Sequence, residues 1–167
     1  MGNLILGMGL IPCAWSDLKY GRVFNKWLLL MALAGVAVVG LPFLPGALPF
    51  LLFGMFLFAF RFMGAGDGKL MAVIGGFLGV RDGLYAVGAG FLAGAVWSLW
   101  KFWRSGTGLA RVLYLCHYIR TVMVTGKITP YDTLEDAGAD HHIPFAACLA
   151  AGVWLYLAVQ VFNKKGG

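Results

Sequence analysis

Two acidic residues at the ends of apolar stretches are the first candidates for chemistry. Asp17 follows an apolar stretch over 3–15, and Asp67 follows another over 48–63. An ionisable side chain beside an apolar segment of membrane length is costly to keep there, so it is a functional candidate by default. Each of these aspartates also has a lysine two residues on, and an ion pair with that lysine is the structural alternative.

A pair of aspartates suits the hydrolysis of a peptide bond. Two carboxylates held close together cannot both carry a charge, so they share one proton. The ionised group can take a proton from water while the protonated group donates to the carbonyl oxygen, with no covalent intermediate. The titration belongs to the pair, so the sequence does not say which of Asp17 and Asp67 is the base. The hypothesis is an aspartyl protease.

Glycines precede the second aspartate in the run Gly64-Ala65-Gly66-Asp67. Glycine permits backbone angles closed to other residues and lets another chain approach closely. A substrate cut by this pair must be extended, so Gly64 and Gly66 are expected to contact it. A helix cap or a packing pair is the alternative, because a chain with 25 Gly produces such strings by chance.

The composition predicts that these residues are positioned by membrane helices. Of the 167 residues, 60% are hydrophobic and only 12% are charged, whereas a soluble domain carries about 25% charged residues. We therefore predict an all-α, polytopic transmembrane bundle. The net charge of +6 is attributed to cytosolic loops and not to nucleic-acid binding. The Cys and His residues lack metal-ligand spacing, so no metal or cofactor is expected.

Six apolar segments give a predicted count of six spans. A spanning helix needs about 20 residues, and the first and fourth segments are shorter than that. A turn at Arg81-Asp82-Gly83 is predicted to separate the fourth segment from the fifth. The six segments are 3–15, 27–43, 48–63, 70–80, 84–100 and 143–162. The second segment is expected to end at Pro42 and Pro45.

The basic residues predict the orientation of these spans. With the N-terminus outside, most of the 13 Lys and Arg residues fall in inside loops, as the positive-inside rule requires. Asp17 and Asp67 are separated by two spans, so both are expected on the cytoplasmic side. The stretch 104–142 is predicted to be a cytoplasmic amphipathic and polar loop within one domain, 1–167. Within it, 107–126 fits either an interfacial helix or an ordinary packed helix.

Three stretches in chain order resemble the type IV prepilin peptidase family, among the Gly-x-Gly-Asp aspartyl proteases of membranes. Residues 17–25 resemble its first-aspartate segment, with Val23-Phe24 in place of the usual Ile-Pro. Residues 64–70 resemble its second-aspartate segment, with Gly68 where a larger apolar residue is common. Residues 143–146 resemble the Pro-Phe start of its last helix.

The resemblance implies a function, a site and a location. The family removes a basic leader from prepilins or pseudopilins on the cytoplasmic side of the bacterial inner membrane. Asp17 and Asp67 would be catalytic, Gly64 and Gly66 would shape the site, and Lys69 matches a family position expected to contact substrate. Partners would be the leader peptide, the hydrophobic helix that follows it, and the bilayer. The chain lacks the Cys-x-x-Cys pairs of long members, so it resembles the short forms without methyltransferase activity.

Other functions remain open at this point. A preflagellin-type peptidase would use the same residues on a different substrate. A small transporter could use Asp17 and Asp67 to move protons or cations, although a conducting path needs polar groups through the whole span. A structural membrane subunit would leave both aspartates unexplained.

Overall fold

The computed structural model describes residues 2–104 and 144–166, and this part of the chain consists of helices joined by short connections. No strand occurs in these two ranges, which confirms the all-α prediction. The helices are α1 (Gly2–Tyr20), α2 (Asn25–Val39), α3 (Phe43–Ala59), α4 (Ala65–Arg104) and α5 (Phe145–Gly166).

Helix α4 is two antiparallel segments joined at Gly79. Gly79 has φ 81° and ψ 175°, a conformation open essentially to glycine alone. A Cβ atom at Gly83 would lie 3.1 Å from the Cα of Gly75, although eight residues of straight helix span about 12 Å. The chain therefore reverses between a first segment, 65–78, and a second segment, 80–104.

The reversal corrects the predicted position of the turn. Gly79 makes the turn, while Arg81-Asp82-Gly83 lies in the first turn of the second segment. Polar residues suggested a loop there, but a carboxylate such as Asp82 is also favourable in the first turn of a helix, where the helix dipole is positive.

The boundary between α2 and α3 also differs from the prediction. The second apolar segment was expected to continue to residue 43 and the third to begin at 48, yet α2 ends at Val39 and α3 begins at Phe43. Gly40 ends α2 with a φ of 77°. Pro42 directly precedes the first turn of α3. Backbone N–H groups at the start of a helix have no intrahelical partner, so a proline, which lacks the N–H group, costs little there. The prolines therefore begin a helix and do not end one.

Helices α1 and α5 run antiparallel. Trp154 Nε1 donates a hydrogen bond of 3.1 Å to the carbonyl of Gly7, near the start of α1, while Asp17, near its end, is hydrogen-bonded to the start of α5. The second segment of α4 packs on α5 with its backbone at Gly90 touching that at Gly152. Small residues permit this close approach between helices.

The core is formed mainly by α1, the first segment of α4, and α5. Its side chains make one apolar cluster that runs towards both aspartate-bearing helix ends. The largest fully buried side chains are Leu6, Leu10, Cys13, Leu70, Met71, Ile74, Leu149 and Val153.

The outward faces of the helices are apolar as well. Exposed apolar surface on this scale needs a partner or a lipid environment. Exposed large side chains occur on every helix, for example Met8, Leu30, Phe56, Leu92 and Leu155. By length and composition, Phe145–Lys164 could cross a membrane. Ala65–Lys101 passes the same test, but the reversal at Gly79 divides it into two helical segments.

The predicted count of six spans is not confirmed. The part of the chain described has six helical segments, as expected, but 65–78 alone extends only about 20 Å, less than a bilayer core of about 30 Å. The predicted amphipathic helix at 107–126 and the loop that follows it lie outside the described residues.

The unit formed by Val96–His142 is described only as far as Arg104. Its described residues are the end of α4. The rings of Trp97 and Trp100 lie with centroids 5.6 Å apart, and the guanidinium of Arg104 lies 5.2 Å from the centre of the Trp100 ring. Aromatic and basic side chains of this kind are common where a helix leaves the membrane.

The reversal at Gly79 predicts a difference between two glycine substitutions. Gly79→Ala should lower the free energy of unfolding by about 1–3 kcal/mol, because alanine is strained at this φ and ψ. Gly88→Ala is the matched control: Gly88 lies in the second segment of α4, and a Cβ there has no neighbour within 4 Å. It should be neutral or stabilising, since alanine favours helix. Denaturant unfolding in mild detergent measures both, and equal effects would contradict the assigned turn.

Candidate active site

Asp17 is a buried carboxylate at the end of α1. Its side chain is 3% exposed. The backbone N–H groups of Ala146 and Ala147 donate hydrogen bonds of 2.8 and 3.4 Å to its Oδ2 atom. Asp17 therefore lies against the N-terminus of α5, where unpaired amides and the helix dipole favour a negative charge.

The start of α5 explains why these amides are available to Asp17. Helix α5 begins at Phe145, and the carbonyl of Pro144 accepts its first hydrogen bond, from the amide of Cys148 at 3.2 Å. Pro144 thus occupies the position where Ser, Thr, Asp or Asn would cap the next amides. Proline has no side-chain acceptor, and Asp17 supplies the oxygen instead.

Asp67 lies in the first turn of α4 and is partly buried. The amides of Asp67 and Gly68 donate to the carbonyl of Gly64, at 3.1 and 3.4 Å. This turn begins the helix directly after Gly64, so the carboxylate of Asp67 is near the positive end of α4. Each aspartate is thus associated with a helix N-terminus, Asp67 with that of its own helix and Asp17 with that of α5.

The turn that bears Asp67 packs against the connection that follows α1 and against the start of α2. A Cβ atom at Gly66, the residue before Asp67, would lie 3.4 Å from the Cβ of Val23. Lys69 Nζ donates a 3.0 Å hydrogen bond to Asn25 Oδ1, at the first residue of α2. The connection that follows Asp17 therefore lies on the first turn of α4, at one end of the bundle.

Gly68 allows a close crossing of α3 and α4 beside Asp67. A Cβ atom at Gly54 would lie 2.5 Å from the Cα of Gly68, and one at Gly68 would lie 3.1 Å from the Cα of Gly54. A larger side chain at either position would push the helices apart. The departure from the family pattern at Gly68 thus has a packing reason, matched by Gly54 on the facing helix.

Lys69 and Asn25 form the polar end of an apolar groove. The groove has a volume of about 410 Å³ and lies between α2, α3 and the first segment of α4. Its apolar lining includes Leu28, Ala32, Ala47, Leu51, Ala72 and Val73. Lys69, expected to contact substrate, thus has its ammonium group hydrogen-bonded at the mouth of this groove.

Basic side chains surround the connection between α1 and α2. The ammonium group of Lys19 lies 5.5 Å from the centre of the Tyr20 ring, and that of Lys26 lies 5.6 Å from the Phe24 ring. Arg22 approaches the same Phe24 ring at 5.9 Å. Cations held over aromatic faces in this way suit the boundary between membrane and water.

Several groups that contact the candidate site in the structure were not indicated by the sequence. Asn25 and the amides of Ala146 and Ala147 were not identified as parts of the site, and Pro144 appeared only within the resemblance. The available signal was a proline directly before an apolar run, at a position that usually carries a capping side chain. No group of three or more His, Cys, Asp or Glu side chains that could hold a metal occurs within 2–104 and 144–166.

A helical chain with an apolar exterior and two aspartates at packed helix ends is an all-helical protein with a candidate acid site. The model of the type IV leader peptidase family matches residues 4–99, more than half of the chain, and the chain belongs to that family. It is therefore a leader-peptidase-like protease, and its long apolar helices indicate membrane association. The matched range includes Asp17 and Asp67. No curated protein and no solved structure matches the chain.

Proposed function

We propose that this chain is an aspartyl endopeptidase that removes the basic leader from prepilin or pseudopilin substrates. Asp17 and Asp67 are the catalytic pair in this proposal. The observation that carries it is the packing of the turn that bears Asp67 on the connection that follows Asp17 and on the start of α2, through Gly66 on Val23 and Lys69 on Asn25. Two carboxylates brought to one end of a helical bundle from distant parts of the chain need a reason beyond packing.

In this proposal the pair acts on a water molecule and the scissile carbonyl. One carboxylate takes a proton from the attacking water and the other donates its proton to the carbonyl oxygen, so no covalent intermediate forms. The substrate must be extended to expose the bond. Gly64 is exposed, and its missing side chain leaves room beside the Asp67 carboxylate. Gly66 shapes the site by its contact with Val23. The family membership supports a peptide as the substrate.

The charge distribution supports a cytoplasmic location for this site. The connection between α1 and α2 carries Lys19, Arg22 and Lys26, and α4 carries Lys69 directly after Asp67. Basic residues at the membrane boundary favour the cytoplasmic side. We therefore place the proposed site at the cytoplasmic face of the bacterial inner membrane, where a leader peptide is accessible before its substrate is exported.

Co-expression with candidate substrates tests this function. A prepilin with a basic leader should lose the mass of that leader when the chain is present and keep it when the chain is absent. A preflagellin, expressed in parallel, measures whether the alternative substrate class is cut better. If neither prepilins, pseudopilins nor preflagellins are shortened while the protein is folded in the membrane, the proposed function is wrong.

A further inference from the structure

We infer that the N-terminus of α5 is a positioning element for Asp17, with Pro144 as the residue that makes it available. The amides of Ala146 and Ala147 hold the carboxylate, and Pro144 does not compete for them. This inference rests on the proposed function only in that it treats Asp17 as a catalytic group.

The geometry fixes the orientation of the carboxyl group. Both amides donate to the same atom, Oδ2, so rotation of the group would break two hydrogen bonds. Asp17 is 3% exposed. The bond from Ala146, at 2.8 Å, is the shorter of the two, and hydrogen bonds to an ionised, buried carboxylate are stronger than bonds between neutral groups. An acid held in this way keeps one position relative to a bound peptide, which is the requirement for efficient proton transfer.

Pro144 determines which oxygen these amides contact. A capping side chain at this place would bond the second or third amide of the helix from only two or three residues away. Such a local acceptor costs little chain entropy, whereas Asp17 is 129 residues distant in sequence. Pro144 is buried and has no side-chain oxygen, so the amides stay directed at Asp17.

A Pro144→Ser variant tests this role, with Pro144→Ala as the matched control. Both variants remove the ring, but only serine brings an oxygen that can cap α5. We expect Pro144→Ser to lower kcat for leader cleavage roughly tenfold to a hundredfold, with KM within about twofold, because the acid is misplaced while the peptide still binds. The kcat of Pro144→Ala should stay well above that of Pro144→Ser, whereas equal kcat values for the two would overturn the inference.

A stability cycle tests the same contact without any measurement of cleavage. Asp17→Ala should lower the thermal midpoint because it leaves the buried amide of Ala146 and the partly buried amide of Ala147 without this acceptor. Adding Pro144→Ser to Asp17→Ala should restore much of that loss, since the new side chain caps the same amides, but it should not restore cleavage. If Pro144→Ser gives no more recovery than Pro144→Ala, the inference is wrong. If the wild-type chain cuts no leader at all, the proposed function is wrong. The stability cycle still tests the contact between Asp17 and α5, because it measures thermal midpoints and not cleavage.

Discussion

Asp67→Asn is expected to reduce leader cleavage by about a thousandfold or more while the protein still folds. Asparagine has nearly the same shape as aspartate but can neither ionise nor donate an acidic proton, so it removes one half of the proposed pair. Its side chain is tolerated in the first turn of a helix, where Asp67 lies. Conversion of a basic-leader prepilin by the purified protein in detergent or vesicles, followed by mass spectrometry, measures the rate.

Asp82→Asn is the matched control for this variant. Asp82 undergoes the same chemical change but lies beyond the reversal at Gly79, against Tyr156 of α5. Ala146, which contacts Asp17, is about 15 Å away from Tyr156 along α5. Asp82→Asn should therefore cleave at close to the wild-type rate. Similar losses in Asp67→Asn and Asp82→Asn would mean that the effect of the first is not specific to the site.

The second large effect is a separation of activity from stability at Asp17. Asp17→Asn should lose cleavage to the same degree as Asp67→Asn but keep most of the stability, because its amide oxygen can still accept from Ala146 and Ala147. Asp17→Ala should lose both cleavage and stability. Its free energy of unfolding should be lower by about 1–3 kcal/mol, because the buried N–H group of Ala146 and the partly buried one of Ala147 lose this acceptor. Cleavage assays and denaturant unfolding on the same preparations give both quantities.

Two outcomes would contradict this expectation for Asp17. Full cleavage by Asp17→Asn would show that the carboxylate serves only to cap α5. Equal stability of Asp17→Asn and Asp17→Ala would show that the hydrogen bonds to Ala146 and Ala147 contribute nothing to the fold. The first outcome would contradict the aspartyl protease mechanism. The second would contradict a structural role for the Asp17 carboxylate.

The helical segments could be predicted because apolar runs dominate this sequence. The ends of these segments could not be predicted, because glycine and proline occur both where helices end and where they begin or turn. Pro42 was taken as the end of one helix and instead precedes the next. The turn was assigned to the polar run at Arg81-Asp82-Gly83, but Gly79, one of many glycines in apolar surroundings, makes it through a backbone conformation that composition does not reveal.

The contacts around the two aspartates were less accessible to sequence reasoning. Spacing placed Asp17 and Asp67 on one side of the bundle, but the link from Asp17 to Ala146 joins residues 129 positions apart through a backbone donor, which has no sequence signature. The pairing of Gly54 with Gly68 likewise depends on how two helices cross. Residue types thus led to the hypothesis of an aspartyl protease, whereas the contacts around the two aspartates depended on tertiary packing.

The most direct test of the central claim is a short cross-link between positions 17 and 67. Two groups that each hydrogen-bond one water or one carbonyl lie within about 6 Å of each other. In a variant with its native cysteines replaced, Asp17→Cys combined with Asp67→Cys should be bridged rapidly by a bifunctional thiol reagent of about that reach. Asp17→Cys combined with Asp82→Cys should not be bridged. Failure to bridge 17 and 67 in membranes, with both thiols shown to react singly, would contradict a shared catalytic site.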